Sequence, residues 1–241
     1  MLKGIISVLV LQLIFLSGMA QPSYEREIIE TSKGPLVITL IGHGTLQMEW
    51  NERVLQIDPW SKHAAYGSMP RADIVLITHE HVDHLDKAAI EATRTERTAI
   101  IANQAVIKLL GEGDSMRNGE HREVYGIGID AVPAYNYTEG HRNFHPKGRD
   151  NGYVLTFGDK RIYVAGDTED IPEMDLIRDI ELAFLPVNQP YTMTPEQLAN
   201  AVNKINPRII IPYHTGTTDM EKVKEVVKPG PGTELRLRSM H

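Results

Sequence analysis

Three histidines and an aspartate fall within six residues at His79-Glu80-His81-Val82-Asp83-His84, directly after the apolar run Ile74–Ile77. Solvated histidines scatter. Side chains that charge near neutral pH are crowded only where a partner suits the crowding. His79 and His81, spaced i, i+2 at the end of a strand, can turn toward one point. Asp83 and His84, on the turn that follows, can face a second point close by. Neutral imidazole with carboxylate is the ligand set suited to zinc, iron or manganese, and without a metal the neighbouring imidazoles would repel once protonated. The spacing therefore reads as a metal centre. His63, His121, His141 and His241 have no comparable neighbours in the sequence and are read as bystanders.

Composition narrows the chemistry. The chain has 241 residues, 41% of them hydrophobic and 24% charged, enough for one sizeable core. Its net charge is −7 with no run of Lys or Arg, which makes nucleic acid and anionic membrane surfaces poor partners. There is no cysteine, so any metal must be held by nitrogen and oxygen. Residues 1–20 read as a secretory signal peptide: Lys3 supplies the positive region, Ile5–Leu16 the apolar stretch, and Ser17-Gly18-Met19-Ala20 small residues at −3 and −1 before cleavage at Gln21. An apolar stretch of about 10–14 residues is too short for a comfortable span, so no stable membrane insertion is expected after cleavage. A periplasmic or secreted location follows as an expectation. The oligomeric state is not specified by any feature of the sequence.

Elements must bring the scattered ligands together. Leu36–Ile41 is an apolar strand ending at Gly42-His43-Gly44. Thr45–Trp50 and Arg53–Ile57, joined at Asn51-Glu52, read as a hairpin that closes on Asp58-Pro59. Ile74–Thr78 has the continuous apolar character of a strand buried on both faces. Helix is expected over Asp86–Thr93, strand over Thr98–Ala102, and a helix capped by Asn103 that runs through Leu110 and stops at Gly111. The second half repeats the plan. Tyr153–Phe157 and Arg161–Ala165, joined at Gly158-Asp159, form a hairpin that ends on Gly166-Asp167, as the first ended on Asp58. A helix is expected around Met174–Ile180, with buried strands at Leu182–Val187 and Ile209–Pro212. Thr194-Pro195-Glu196-Gln197 is a capping box opening a helix with Leu198, Ala201, Val202 and Ile205 on one face. Two similar halves with no Gly-, Ser- or Pro-rich linker predict a single α/β domain over 21–241, a four-layer αββα sandwich. Pro133–Gly152 alone lacks periodicity, and a structureless loop of about 20 residues is more often functional than not.

The motif at 79–84 resembles the HxHxDH signature of the metallo-β-lactamase fold. Leu40-Ile41-Gly42-His43-Gly44-Thr45, Gln56-Ile57-Asp58-Pro59, Ala165-Gly166-Asp167-Thr168 and Ile211-Pro212-Tyr213-His214 fall in that family's order. The chain is most similar to the hydrolase branch that includes L-ascorbate-6-phosphate lactonase and N-acyl-phosphatidylethanolamine phospholipase D. The resemblance implies two metal sites: His79 and His81 serve the first, Asp83, His84 and His214 the second, and Asp167 bridges both. A further histidine is expected in the stretch Ala131–Tyr137, which holds none. His145, in the long loop, is expected to complete the first site on the grounds of ligand softness, with Asn136 as the competing candidate.

The implied chemistry is hydrolysis. A hydroxide held between two divalent cations is a strong nucleophile near neutral pH, because the metals lower the pKa of bound water from about 15.7 to about 7. Asp83 and Asp167 are the expected catalytic carboxylates, and Asp58 the acceptor that orients a ligand histidine. His43 either contacts substrate or closes the glycine turn; Tyr135, Tyr137, Tyr191 and Tyr213 are candidates to line a pocket. The expected protein is a metal-dependent hydrolase of an ester, lactone or phosphodiester in a small or lipid-like substrate, using two zinc ions, with manganese or iron as alternatives. Two other readings fit the same ligand cage: a di-iron oxidoreductase, and a non-catalytic metal-binding protein.

Overall fold

Alternation along the strands decides where the core sits. Leu36, Ile38 and Leu40 face one way and Val37, Thr39 and Ile41 the other, so one row enters the space between two sheets. The computed structural model describes residues 24–240; the expected leader at 1–20 lies outside them. The first sheet runs in chain order: β1 (Glu25–Thr31), β2 (Gly34–Gly42), β3 (Thr45–Trp50), β4 (Arg53–Ile57), β5 (Ile74–Ile77), β6 (Ala99–Ala102) and β7 (Asp114–Ser115). The second contains β8 (His121–Val124), β9 (Ile127–Ala134), β10 (Asp150–Phe157), β11 (Lys160–Val164), β12 (Leu182–Pro186), β13 (Ile209–Tyr213) and β14 (Glu234–Leu235), again neighbours in order. In each sheet the first four strands pair antiparallel and the rest parallel, so the halves share one plan.

Helices cover the outer faces. α1 (Lys87–Thr93) and α2 (Gln104–Leu110) bury Ile90 and Val106 against Val75, Ile77 and Ile100. α3 (Pro195–Ile205) and α4 (Met220–Val226) lay Leu198, Ala201, Val202, Ile205 and Val223 on Tyr163, Ala183, Leu185 and Ile210. Leu46, Met48, Tyr153, Leu155, Phe184 and Ile211 fill the space between the sheets, each such side chain contributing roughly 1.5–3 kcal/mol by burial. The result is the expected helix–sheet–sheet–helix sandwich. The caps are also as read: Asn103 accepts from Val106 N, Gly111 takes the left-handed conformation, and Thr194 and Gln197 close a reciprocal box.

Two expectations need correction, and β1 was not expected. The helix expected at Met174–Ile180 is a 3-10 turn at Pro172–Leu176, because Ile177 is extended and Asp179 sits at φ 58°. The loop expected over Pro133–Gly152 is shorter, since β9 continues to Ala134 and β10 begins opposite it at Asp150. β1 escaped notice because its inward position Glu27 is charged, paired to Arg236 and Arg238 rather than packed in apolar surroundings.

This topology places the chemistry at one end. β4, β5, β11 and β13 lead into Asp58, Thr78-His79, Ala165-Gly166-Asp167 and His214, and the β2–β3 turn holds His43. Asn151 N and Tyr153 Oη donate to Thr78 O and Ile77 O, tying the second sheet to the strand that carries the histidine motif. The segment 135–149 leaves and returns at the same place, forming a lid over this end. No helix among the described residues is long and apolar enough to cross a membrane.

Candidate metal centre

Asp58 is where the site begins to be ordered. Held at φ 44° after β4, it is fully buried and accepts from Thr78 N at 2.8 Å, Thr78 Oγ1 at 2.6 Å and His84 Nδ1 at 2.7 Å. Thr78 Oγ1 donates its one hydrogen to Asp58, so the 2.9 Å contact with His79 Nδ1 is donated by the imidazole. His145 Nδ1 donates to Asp150 Oδ2 at 3.0 Å, and Arg149 in turn holds Asp150. His79, His84 and His145 are thus each fixed through Nδ1, which turns Nε2 inward.

The inward atoms form two groups. His79, His81, His145 and Asp167 make one, and His43, Asp83, His84 and His214 the other; within each, one nitrogen or oxygen per residue lies within 4.8 Å of the rest. His79 Nε2 and His81 Nδ1 are 3.0 Å apart. Asp167 reaches both groups: Oδ2 lies 3.4 Å from His145 Nε2 and 3.3 Å from His214 Nε2, and Oδ1 lies 3.5 Å from His84 Nε2. Asp83 Oδ2 is 3.6 Å from His214 Nε2 and 3.9 Å from His84 Nε2. A tetrahedral ion with bonds of about 2.0–2.1 Å sets its ligand nitrogens roughly 3.3 Å apart, so these spacings suit shared cations.

Unpaired polar atoms make the same case independently. Nε2 of His84, His145 and His214 and Oδ1 of Asp167 are buried with no hydrogen-bond partner among the described residues, a costly arrangement unless something else fills the coordination. The donor set of imidazole and carboxylate fits divalent zinc, manganese or iron. Electrostatics agrees. Burial and the imidazoles of His84, His145 and His81 hold His79 well below its usual pKa, and burial with His145 lowers His81, so both stay neutral and ready to ligate. Burial opposes charge on Asp83 and Asp167, yet the surrounding histidines hold both carboxyls below the usual range. Burial also opposes charge on His84, but Asp167 and Asp58 push it up to about 10. A cation arriving there must displace a proton.

Close packing leaves little slack. A Cβ on Gly44 would lie 2.9 Å from His84 Cε1 and 3.3 Å from its Nδ1. Gly166, at φ 65°, turns the chain from β11 into Asp167 where a Cβ would meet Asn151 O at 2.8 Å.

All seven residues expected as ligands, His79, His81, Asp83, His84, His145, Asp167 and His214, stand in the two groups. Asn136 does not. Its Nδ2 donates to Tyr191 O at 2.7 Å, making it a tie between the lid and the 188–192 turn. His43, expected as a substrate contact or a turn residue, faces Asp83 within the second group. Tyr135 is a correction: its ring is buried in the core cluster that includes Ile171 and Met174, and its hydroxyl joins Glu173 and Lys147, because an aromatic body with a polar tip is satisfied at the edge of a core. Tyr213 is fully buried and holds Gly166 N through its hydroxyl, so it supports the ligand turn and lines no pocket. Tyr191 and Tyr137 remain on the surface, and the Tyr191 ring meets Phe144 of the lid at 5.0 Å. Sequence reasoning missed Asp150 and Glu169. Their carboxylates find partners only through the folded lid, although Asp167-Thr168-Glu169-Asp170 is an acidic run that could have drawn notice.

Known proteins are similar to this chain in sequence and in fold. A family model described as a beta-lactamase superfamily domain matches residues 37–214. The UPF0173 metal-dependent hydrolase of Thermococcus onnurineus is 32% identical over 224 residues, which cover 82% of this chain and 99% of that protein. A solved structure from Parabacteroides distasonis, described as a metal-dependent hydrolase, matches with a TM-score of 0.88 at 47% identity, over 91% of this chain and 100% of that one. Igni18, a metallo hydrolase of Ignicoccus hospitalis, matches in fold with a TM-score of 0.70 at 23% identity, over 85% of this chain and 95% of that one. Two sheets between helices, a histidine–aspartate cluster at one end and relatives of nearly equal extent agree: the chain belongs to the metallo-β-lactamase superfamily and is one of its metal-dependent hydrolases.

Proposed function

We propose that the protein cleaves an ester, lactone or phosphodiester bond with two cations, zinc by preference, held by His79, His81, His145 and Asp167 in the first site and by Asp83, His84, His214 and the shared Asp167 in the second. The observation that carries this reading is the position of Asp167 between both groups, within 3.3–3.5 Å of His84, His145 and His214. Cations bound there supply Lewis acidity and an activated water near neutral pH. The chain does the rest. Asp83 keeps 27% of its side chain exposed while Asp167 keeps 3%, so Asp83 is the carboxylate that faces an entering substrate and orients the attacking water.

Exposed apolar side chains on the histidine motif, the lid and the 188–192 turn support a substrate with a lipid-like or acyl part. Val82, between two ligand positions, is 81% exposed, and Tyr191 and Tyr137 are 44% and 41% exposed. Large apolar side chains left in water around a polar centre are a recognition feature. A substrate of this kind is what resemblance to the branch of lactonases and phospholipases implies; export, with a mature chain beginning at Gln21, is proposed from the sequence of residues 1–20 alone. The test is a panel of phosphodiesters, lactones and acyl esters offered to protein loaded with zinc or manganese and to protein stripped by a chelator. Metal-dependent turnover in one bond class is expected. Equal rates with and without metal, or none with any member, would overturn the reading.

A further inference from the structure

The lid that carries His145 is fastened to the strand end that carries Asp167 by one buried carboxylate, Glu169. The side chain of Glu169 is fully buried. Its Oε2 accepts from Tyr137 N and Thr138 N, both at 2.8 Å. Its Oε1 has no hydrogen bond among the described residues and faces His141 Nδ1 at 3.4 Å. Three groups of the lid therefore close around a single carboxylate. Bonds to an ionised acceptor are about twice as strong as neutral ones, and a buried carboxylate deprived of them is costly. Opening the lid strips Glu169 of these partners.

The fastening continues on both sides. Glu169 N donates to Tyr135 O at 3.0 Å, Thr168 Oγ1 accepts from Tyr135 N at 3.1 Å, and Tyr137 Oη donates to Asp170 Oδ1 at 2.7 Å. On the lid, Asn136 N donates to His145 O at 2.8 Å, so the residue next to Tyr137 is bonded to the backbone of the histidine itself. An unbroken path runs from Asp167 through Glu169, the amides of Tyr137 and Thr138 and the backbone of Asn136 to His145. It joins two members of the first group that lie 22 positions apart in the chain.

We infer that Glu169 is the positioning residue of the first metal site: by latching the lid it holds His145 against Asp167, and the second site does not depend on it. This rests on the ligand assignment above. Groups that orient metal ligands typically cost about 10–100-fold in affinity when removed.

The experiment titrates cobalt(II) into stripped wild type, Glu169→Ala and Glu169→Gln, with metal content by elemental analysis and amide exchange at Tyr137 and Thr138 in parallel. In Glu169→Ala, one of the two equivalents should bind about 10–100-fold more weakly while the other is unchanged, and both amides should exchange faster. Glu169→Gln keeps the size and an acceptor oxygen and should fall between. A general loss of stability would weaken both equivalents together, which refutes the inference. So does Glu169→Ala with two wild-type affinities and unchanged exchange. A wild type that takes up no cobalt refutes the ligand assignment instead, and the exchange data still decide the latch.

Discussion

His43 Nε2 lies 2.9 Å from Asp83 Oδ2, on the most exposed flank of the second group. The backbone around it is fixed: His43 sits at φ 52°, its carbonyl accepts from His214 N and its amide donates to Met240 O. Burial lowers the proton affinity of His43, which favours the neutral ring, and a neutral ring facing a carboxylate donates through Nε2. His43 therefore holds Asp83 in place and does not itself ligate. A hydrogen bond to a charged group is worth about 1.5–3 kcal/mol, so His43→Ala should lower kcat by roughly 10–100-fold with both metal equivalents retained. Metal analysis of the variant checks this, and loss of one equivalent would make His43 a ligand.

Asp167→Asn tests the shared carboxylate. An amide cannot place anionic oxygens toward His84, His145 and His214 at once, and a bridging ligand acts on both cations. The substitution should remove several kcal/mol of transition-state stabilisation, roughly a thousandfold or more in turnover, and weaken both equivalents. His121→Ala is the control, since that ring is exposed on β8, the edge strand of the second sheet, where it pairs with Asp130 and belongs to neither group. Wild-type turnover in Asp167→Asn would exclude a two-metal mechanism.

Much of the site was legible because its signals are local. His79, His81, Asp83 and His84 follow a buried strand with only Thr78 between, and Asp58 and Asp167 follow hairpins whose turns are written in Asn51-Glu52 and Gly158-Asp159. His145 was the expected fourth member of the first group by ligand softness, and the fold brings it there. What stayed hidden depends on contacts distant in the chain. Glu169 meets His141 only once the lid has folded, so His141 looked like a bystander. Tyr135 looked available because tyrosine serves cores and pockets equally, and only its burial in the core cluster beneath α3 decides between them. α4 was missed because its sequence is largely charged and it buries little beyond Val223.

Gly44→Ala probes how tightly the second group is packed. The added Cβ would fall 2.9 Å from His84 Cε1, and the ring cannot swing away without breaking the hydrogen bond that holds its Nδ1 on Asp58. Overpacking of this kind costs about 1–3 kcal/mol. The melting temperature should drop by several degrees, and cobalt affinity should fall at the second site with the first spared. An unchanged melting temperature and two wild-type affinities would show that the turn at 42–45 can shift at little cost.

Stripped of metal, the protein should be most stable near neutral pH, with the two arms of the curve set by different histidines. His79 and His81 have folded pKa values below the ordinary 6.5, through burial and neighbouring imidazoles. The folded state then binds fewer protons than the unfolded chain, so their contribution is complete above about 6.5 and is lost as pH falls below it. His84 runs the other way. Its folded value, about 10, lies above that of the unfolded chain, so its contribution is complete below about 6.5 and is lost as pH rises toward 10. Melting temperatures of chelator-treated protein across pH 5–10 should therefore fall on both sides. In His84→Gln the alkaline fall should shrink while the acid fall remains. Zinc should also flatten the alkaline side, because binding requires the neutral imidazole that high pH supplies. An alkaline limb identical in wild type and His84→Gln would show that Asp58 and Asp167 do not hold a proton on His84, and the electrostatic account of the second group would have to be rebuilt.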